Sequence, residues 1–268
     1  MRLHYLFYAV FSILITACDL FEYSAHQITP DHDEKDVNLR NIDKILSLPS
    51  SDTLKIAFIS DSQRFYDETE SFVHHFNSVS EDFDFVIHGG DISDFGLAEE
   101  FLWINDILSK LDVPYLTVIG NHDVPVYGHR AYRKIFGPDN YSFTWNNHHF
   151  IFLNTNSLEY GFNGLIPDLE WLQKQISERQ PSEKIILISH MGPESGEFDP
   201  KLAAGYRSIL NSAGDNFLFA LHGHSHEFKK GIYPKTNIPY WITTSMDDRA
   251  FTKIRIWEDG FDFKIIEF

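Results

Sequence analysis

Five short segments carry the side chains able to do chemistry: Asp61-Ser62-Gln63, Gly90-Asp91-Ile92-Ser93-Asp94, Gly120-Asn121-His122-Asp123, His190, and Gly223-His224-Ser225-His226. Their donors are carboxylates, amide oxygens and neutral imidazoles, which suit Mn²⁺, Fe or Zn²⁺. Gathered at one place, they could hold two divalent cations, about 3.5–4 Å apart in such sites, that clamp a phosphoryl group and activate a water. One carboxylate would have to bridge the two ions. Glycines at 89, 90, 120 and 223 allow the backbone to turn sharply beside such a cluster.

The elements needed to position these segments can be read around them. Each segment follows an apolar run that reads as a buried strand: Leu54–Ser60, Phe83–His88, Tyr115–Ile119, Lys184–Ser189 and Phe217–His222. Between the first three lie helical patterns, Asp67–Val79 and Gly96–Leu111. In the second, Leu97, Phe101, Ile104, Leu108 and Leu111 recur at helical spacing. Tyr141–Trp145 and His148–Asn154 predict a hairpin across Asn146-Asn147. Pro167–Glu178 predicts a helix, and Tyr240–Thr244, Phe251–Trp257 and Phe261–Phe268 predict strands. The expected class is α/β, with layered mixed β-sheets in a β-sandwich flanked by helices. In such folds the site lies beyond the C-terminal ends of the parallel strands.

The ordered set of "DSQ", "GDISD", "GNHD", His190 and "GHSH", running from residue 61 to residue 226, resembles the calcineurin-like metallophosphoesterase family. The resemblance covers the chain from about residue 54 onward. It implies the metallophosphoesterase fold and a dinuclear centre whose metal-bound hydroxide attacks phosphorus. It further implies that Asp61 and His226 bind one metal, with Gln63 in the slot usually held by histidine. Asp91 would bridge, and Asn121, His190 and His224 would bind the other metal. His122 would act on the leaving oxygen, with Asp94 orienting it, and Asp123 would hold its loop. His88, His148, His149 and His222 stay outside this set, because a histidine after a strand is ordinarily a satisfied polar residue.

Gln63 is the departure from the family pattern. Its amide oxygen is a harder and weaker ligand than imidazole, so this slot leans toward Mn²⁺, Mg²⁺ or Ca²⁺ and away from Zn²⁺. Two divalent ions are expected, Mn²⁺ first, with Fe, Mg²⁺, Ca²⁺ or Zn²⁺ as alternatives. Every other slot is filled, which favours an active enzyme over a decayed one. The small size without an inserted lid resembles the cyclic-nucleotide phosphodiesterase-like bacterial branch. A phosphodiesterase is the first expectation, a phosphomonoesterase the second, and a catalytically silent envelope-binding protein the third.

Composition bounds the rest. The 268 residues are 43% apolar, enough for a substantial core, and the formal net charge of -17 argues against broad nucleic-acid binding. An anionic phosphoester substrate would therefore need local positive charge from metals or a few arginines. Arg64, Arg130, Arg133 and Arg249 are candidates in the loops, though each also reads as ordinary surface charge. Residues 1–17 join Arg2 to an apolar run too short to span a membrane comfortably, and Ile15-Thr16-Ala17-Cys18 resembles the bacterial lipobox. The resemblance implies cleavage before Cys18, its lipidation, and a lipid-anchored place in the bacterial cell envelope. The expected organisation is a signal peptide over 1–17, an acidic tether with a short helix over 18–50, and the catalytic domain over 51–268. Oligomeric state is not indicated by the sequence.

Overall fold

The computed structural model describes Pro30 and residues 34–268. Cys18 and the expected signal peptide lie outside the described residues. Two sheets form the centre. The first has the order β11-β10-β1-β2-β3, from Gly260–Glu267, Ala250–Trp257, Thr53–Ile59, Phe85–His88 and Tyr115–Thr117. The second has the order β4-β5-β6-β7-β9-β8, from Tyr141–Trp145, His148–Phe152, Lys184–Ile188, Phe217–His222, Pro239–Ile242 and Lys229–Ile232. Strands β1, β2 and β3 are parallel to one another, as are β5, β6, β7 and β9.

Side-chain alternation along the strands explains the layering. On β1, Ile56 and Phe58 face the second sheet and pack with Phe85, Ile87, Phe150, Ile186 and Leu221. Ala57 and Ile59 point the other way, toward helices α2 (Tyr66–Asn77), α3 (Ala98–Leu108) and α4 (Gly128–Ile135). The outer face of the second sheet is covered by α5 (Leu169–Glu178) and α6 (Pro200–Asn211). Both central sheets are thus apolar on both faces, as buried parallel strands require. Full burial of one Phe, Ile or Leu side chain contributes about 1.5–3 kcal/mol, so this three-part core supplies most of the driving force.

Local chemistry sets the helix starts. Glu100 Oε2 accepts from the backbone N–H of Phe95 and of Leu97, at 3.0 and 3.1 Å, and so fixes the entry to α3. Asp168 caps α5 through the Trp171 N–H at 2.9 Å. Asp199 caps α6 through the Lys201 N–H at 2.9 Å, with Pro200 in the first turn. Helices α4 and α6 and strand β8 have no counterpart in the expected pattern. The Asp199-Pro200 pair was the available signal for α6. Strand β8 is a mostly exposed edge strand, so no hydrophobic alternation marks it.

One boundary differs from expectation. Helix α1 (Val37–Leu46) does not belong to a tether but is built into the domain. Val37, Ile42 and Ile45 are buried in the two central clusters. Asn38 Oδ1 accepts from the Thr117 N–H at 2.9 Å while its Nδ2 donates to the Thr117 carbonyl at 3.2 Å, and Asn41 Nδ2 donates to the Tyr115 carbonyl at 2.8 Å. These amides supply an extra rung along the open edge of β3. Replacing Asn38 with Ala strands a buried N–H and is expected to lower unfolding free energy by about 1–3 kcal/mol, measured by denaturant titration.

Candidate dinuclear metal centre

Strand register delivers the candidate ligands to one level. Ile59 pairs with His88, and His88 with Thr117, so β1, β2 and β3 end side by side. In the second sheet Ile188 pairs with Leu221, which brings the ends of β6 and β7 together. The turns beyond are then cross-linked: Asp61 N–H donates to Gly90 O at 3.0 Å, Gln63 N–H to Asp91 O at 3.1 Å, and Gly223 N–H to His190 O at 3.0 Å. A Cβ at Gly120 would overlap Asp91, and one at Gly223 would overlap Ser60 and Asp61, so only glycine permits these approaches. Asp61, Asp91, His224 and His226 all have positive φ, between 52° and 68°. That region is unfavourable for side chains other than glycine, and its use by four candidate ligands marks a site held in place by its surroundings.

The structure brings Asp61, Asp91, Asn121, His190, His224 and His226 together. Ligand atoms of Asp61, Asp91 and His190 all lie within 4.8 Å of one another, and all three residues are buried. His190 Nε2 stands 3.2 Å from Asp91 Oδ2 and 2.9 Å from Asn121 Oδ1. His224 Nδ1 lies 3.1 Å from the same Asn121 oxygen, and His226 Nε2 lies 3.2 Å from Asp61 Oδ1. That Asp61 oxygen is buried, with the His226 imidazole close but no partner in good hydrogen-bond geometry. Asp61 Oδ2 accepts from the His224 backbone N–H at 3.1 Å, and Asp91 Oδ1 from the His122 N–H at 2.9 Å.

Such a set of converging lone pairs needs positive charge among them. His190 shows it. Its Nδ1 faces the Gly89 carbonyl at 2.8 Å and must donate there, which leaves Nε2 aimed at the carboxylate cluster. Burial alone would suppress its charge, yet the neighbouring carboxylates of Asp91 and Asp61 push its pKa up to about 10. Burial likewise tends to raise the Asp61 carboxyl, but His226 and His190 hold it below its ordinary value. A divalent cation satisfies the same lone pairs without the added proton, so the donors fit the metals that carboxylate, amide and imidazole ligands select.

Gln63 is buried in this cluster. With its amide nitrogen inward it donates to Ser93 O at 3.2 Å and to Asp91 Oδ2 at 3.3 Å. Turning the amide over places its oxygen at that same point, the orientation a cation would require. Asp123 is fully buried, and its oxygens are taken up by loop N–H groups. Its Oδ1 accepts from the N–H groups of Ile92 and Ser93, and its Oδ2 from that of Gly120, at 2.8–2.9 Å, so it ties two ligand loops together.

His122 projects toward solvent at the cluster's edge. Its relation to Asp94 differs from the expected carboxylate pair. His122 Nδ1 is 3.0 Å from the Asp94 backbone carbonyl and 3.6 Å from Asp94 Oδ1. The carboxylate instead pairs with Arg64 Nη2 at 2.6 Å. Of the other candidate arginines, Arg133 is held in a two-pronged pair by Asp139, Arg130 lies over the Tyr127 ring, and Arg249 over that of Phe268.

Features missed by sequence reasoning border the cluster. Glu159 lies near enough for burial, reinforced by the charges of Glu197 and Asp91, to push its carboxyl up to about 7. A cavity of about 350 Å³ opens beside His224, lined by Met191, Ser195, His222, Tyr233 and Tyr240. The loops over residues 154–164 and 191–199 read in the sequence as places for substrate choice, but no residue in them could be given a role, since the cavity draws its members from separate loops and strands.

The fold and site together define a metallophosphoesterase architecture. Residues 54–228 match the family described as Calcineurin-like phosphoesterase, and the chain belongs to that family. It is 28% identical over 211 residues to an uncharacterized protein, YvnB, of Bacillus subtilis, spanning 66% of this chain and 16% of that one. It is 29% identical over 133 residues to a probable glycerophosphodiester phosphodiesterase, GpdQ, of Arcobacter nitrofigilis, spanning 44% of this chain and 45% of that one. The chain thus matches less than half the length of either relative. Among solved structures, a dimetal phosphatase from Danio rerio superposes with a TM-score of 0.61 at 15% identity, covering 80% of this chain and 97% of that one. That likeness concerns the fold.

His88 and His222, excluded from the ligand set, are packed as neutral groups. His88 Nδ1 accepts from Gly90 N–H at 3.2 Å, so its Nε2 donates to Ser62 Oγ at 2.8 Å. His222 Nδ1 donates to Ser189 O at 2.9 Å, so its Nε2 accepts from Tyr233 OH. Burial depresses both to about 4. A depressed histidine stabilises the fold fully above its unfolded value near 6.5, and that contribution disappears as pH falls through 4. Each histidine should cost about 3 kcal/mol across that window. Denaturant titrations from pH 7 to pH 4 should therefore show a shallower loss in His222→Gln than in the wild-type chain.

Proposed function

We propose that this protein is a dinuclear metal-dependent phosphodiesterase. The observation that carries the reading is the convergence of Asp61, Asp91, Asn121 and His190, with a buried Asp61 oxygen that has no partner in good hydrogen-bond geometry. Asp61, Gln63, Asp91 and His226 would hold one ion, and Asp91, Asn121, His190 and His224 the other, with Mn²⁺ as the best match to an oxygen-rich set. Bound divalent cations supply Lewis-acid polarisation of the phosphoryl oxygens and a water nucleophile at neutral pH.

The chain's own residues do the remaining work. His122 Nδ1 can only donate to the Asp94 carbonyl, which fixes the ring and leaves Nε2 for the leaving oxygen. The hydrogen bond from His122 N–H to Asp91 Oδ1 couples the position of that ring to the bridging carboxylate. A diester has two substituents, and the surface beside the cluster has two distinct places for them: the cavity next to His224, and the open side next to His122. This favours a diester over a monoester, and the similarity to a probable glycerophosphodiester phosphodiesterase supports the same choice. We also propose anchoring through lipidated Cys18 in a bacterial envelope, on the lipobox-like sequence alone. Among the described residues, no helix is long and apolar enough to cross a membrane.

Protein lacking residues 1–18 and loaded with Mn²⁺ should hydrolyse bis(p-nitrophenyl) phosphate faster than p-nitrophenyl phosphate. No turnover with any divalent metal from well-folded protein would refute an enzyme, and a reversed preference would indicate a monoesterase. Asp91→Asn should lower kcat/KM by ~100-fold or more, since loss of even an outer-shell partner costs 10–100-fold. It should also reduce bound Mn²⁺ below the wild-type stoichiometry in elemental analysis. Gln63→His should tighten one metal site and move its preference toward Zn²⁺, read by competition between Mn²⁺ and Zn²⁺ with a chromogenic chelator.

A further inference from the structure

Arg64 occupies a distinctive place beside the proposed centre. It directly follows Gln63 and has φ 68°, an unfavourable conformation for arginine. Its Nη2 meets Asp94 Oδ1 at 2.6 Å; the Asp94 side chain is 8% exposed whereas that of Arg64 is 61% exposed. The carboxylate is thus a buried base under a largely exposed guanidinium. The same carboxylate lies 3.6 Å from His122 Nδ1, so Arg64 and the leaving-group histidine stand on one support. Arg133 makes the contrast: its pair with Asp139 uses Nε and Nη2 together and closes the fork on one acid. The Arg64 side chain of this pair is 61% exposed, so it is able to turn part of its fork to an arriving anion.

We infer that Arg64 is a specificity-determining residue that binds a second anionic group, carried by the leaving group of the substrate. This rests on the phosphodiesterase reading and extends it to a substrate class: esters in which the leaving group itself bears a phosphate, as in diphosphate diesters. The chain carries a net charge of -17, so a substrate with two anionic groups needs a local cation in addition to the metals. Planar guanidinium suits a phosphate oxygen pair better than ammonium does. In the reaction, the oxygen of water bonds to one phosphorus and the bond between that same phosphorus and the bridging oxygen breaks, so the bridging oxygen leaves on the second phosphorus. The electron pair stays on the bridging oxygen, the protons of water end on the two product phosphates, and Arg64 holds the departing phosphate beside His122.

The test compares two probes that differ by one phosphoryl group, bis(p-nitrophenyl) phosphate and P1,P2-bis(p-nitrophenyl) diphosphate. The products of the second are read after addition of a phosphomonoesterase. Arg64→Gln should raise KM for the diphosphate about tenfold or more and change kcat/KM for the monophosphate diester by less than threefold. Arg64→Lys should recover only part of the diphosphate affinity, because it keeps the charge and loses the fork. An equal fall in kcat on both probes would overturn the inference and make Arg64 a positioning residue acting through Asp94. No change on either probe would also overturn it. Inactivity of the wild-type protein on the monophosphate diester would instead count against the phosphodiesterase reading itself.

Discussion

The central constraint is electrostatic. Carboxylate oxygens from Asp61 and Asp91 and the imidazole of His190, all buried, meet beside the Asn121 amide oxygen. Bringing such groups together without a compensating positive charge is costly in a medium of low dielectric. Asp91 and Asp61 favour positive charge on His190 against the burial that opposes it. A bound divalent cation would supply that charge without a proton, and the surrounding geometry keeps the candidate ligands converged.

Much of the neighbouring structure follows from holding that convergence. Parallel strands of matched register carry the candidate ligands to one edge, and three of their turns adopt backbone conformations that open chains avoid. Asp123 gathers the N–H groups of Ile92, Ser93 and Gly120 so that two of those turns cannot separate. Gly120 and Gly223 allow the opposing backbones to approach Asp91 and Asp61. The apolar layer between the sheets, with Phe58, Phe85 and Phe150 fully buried, makes the platform stiff.

Substrate choice belongs to a different layer, the loops above the platform. There the side chains are more exposed and the interactions weaker, so their roles depend on small displacements. The pairing of Arg64 with Asp94 illustrates this: a side chain that is a common surface charge by type is anchored near His122 by Asp94. The cavity beside His224 has the same character, being assembled from the turn after β6, the end of β7, and Tyr240 of β9.

The family, the α/β class and the candidate cluster residues were legible in the sequence because each motif is local: a buried apolar strand followed by Asp, Asn or His. The strand bearing Asp61 and the helix with Phe101, Ile104 and Leu108 inward could be read from periodicity alone. Other features depended on partners distant in the chain. Helix α1 has only a weak apolar face, and its place in the domain rests on Asn38 and Asn41 reaching Thr117 and Tyr115, which stand 79 and 74 residues further along the chain. Helix α4 lacked a local cap, and edge strand β8 lacked alternation. The sequence by itself determined which atoms are available to bind cations and in what order they occur. Only the tertiary structure decided that Asp94 turns its carbonyl to His122 and its carboxylate to Arg64, because that choice is made by competing contacts in space, and spacing along the chain does not encode it.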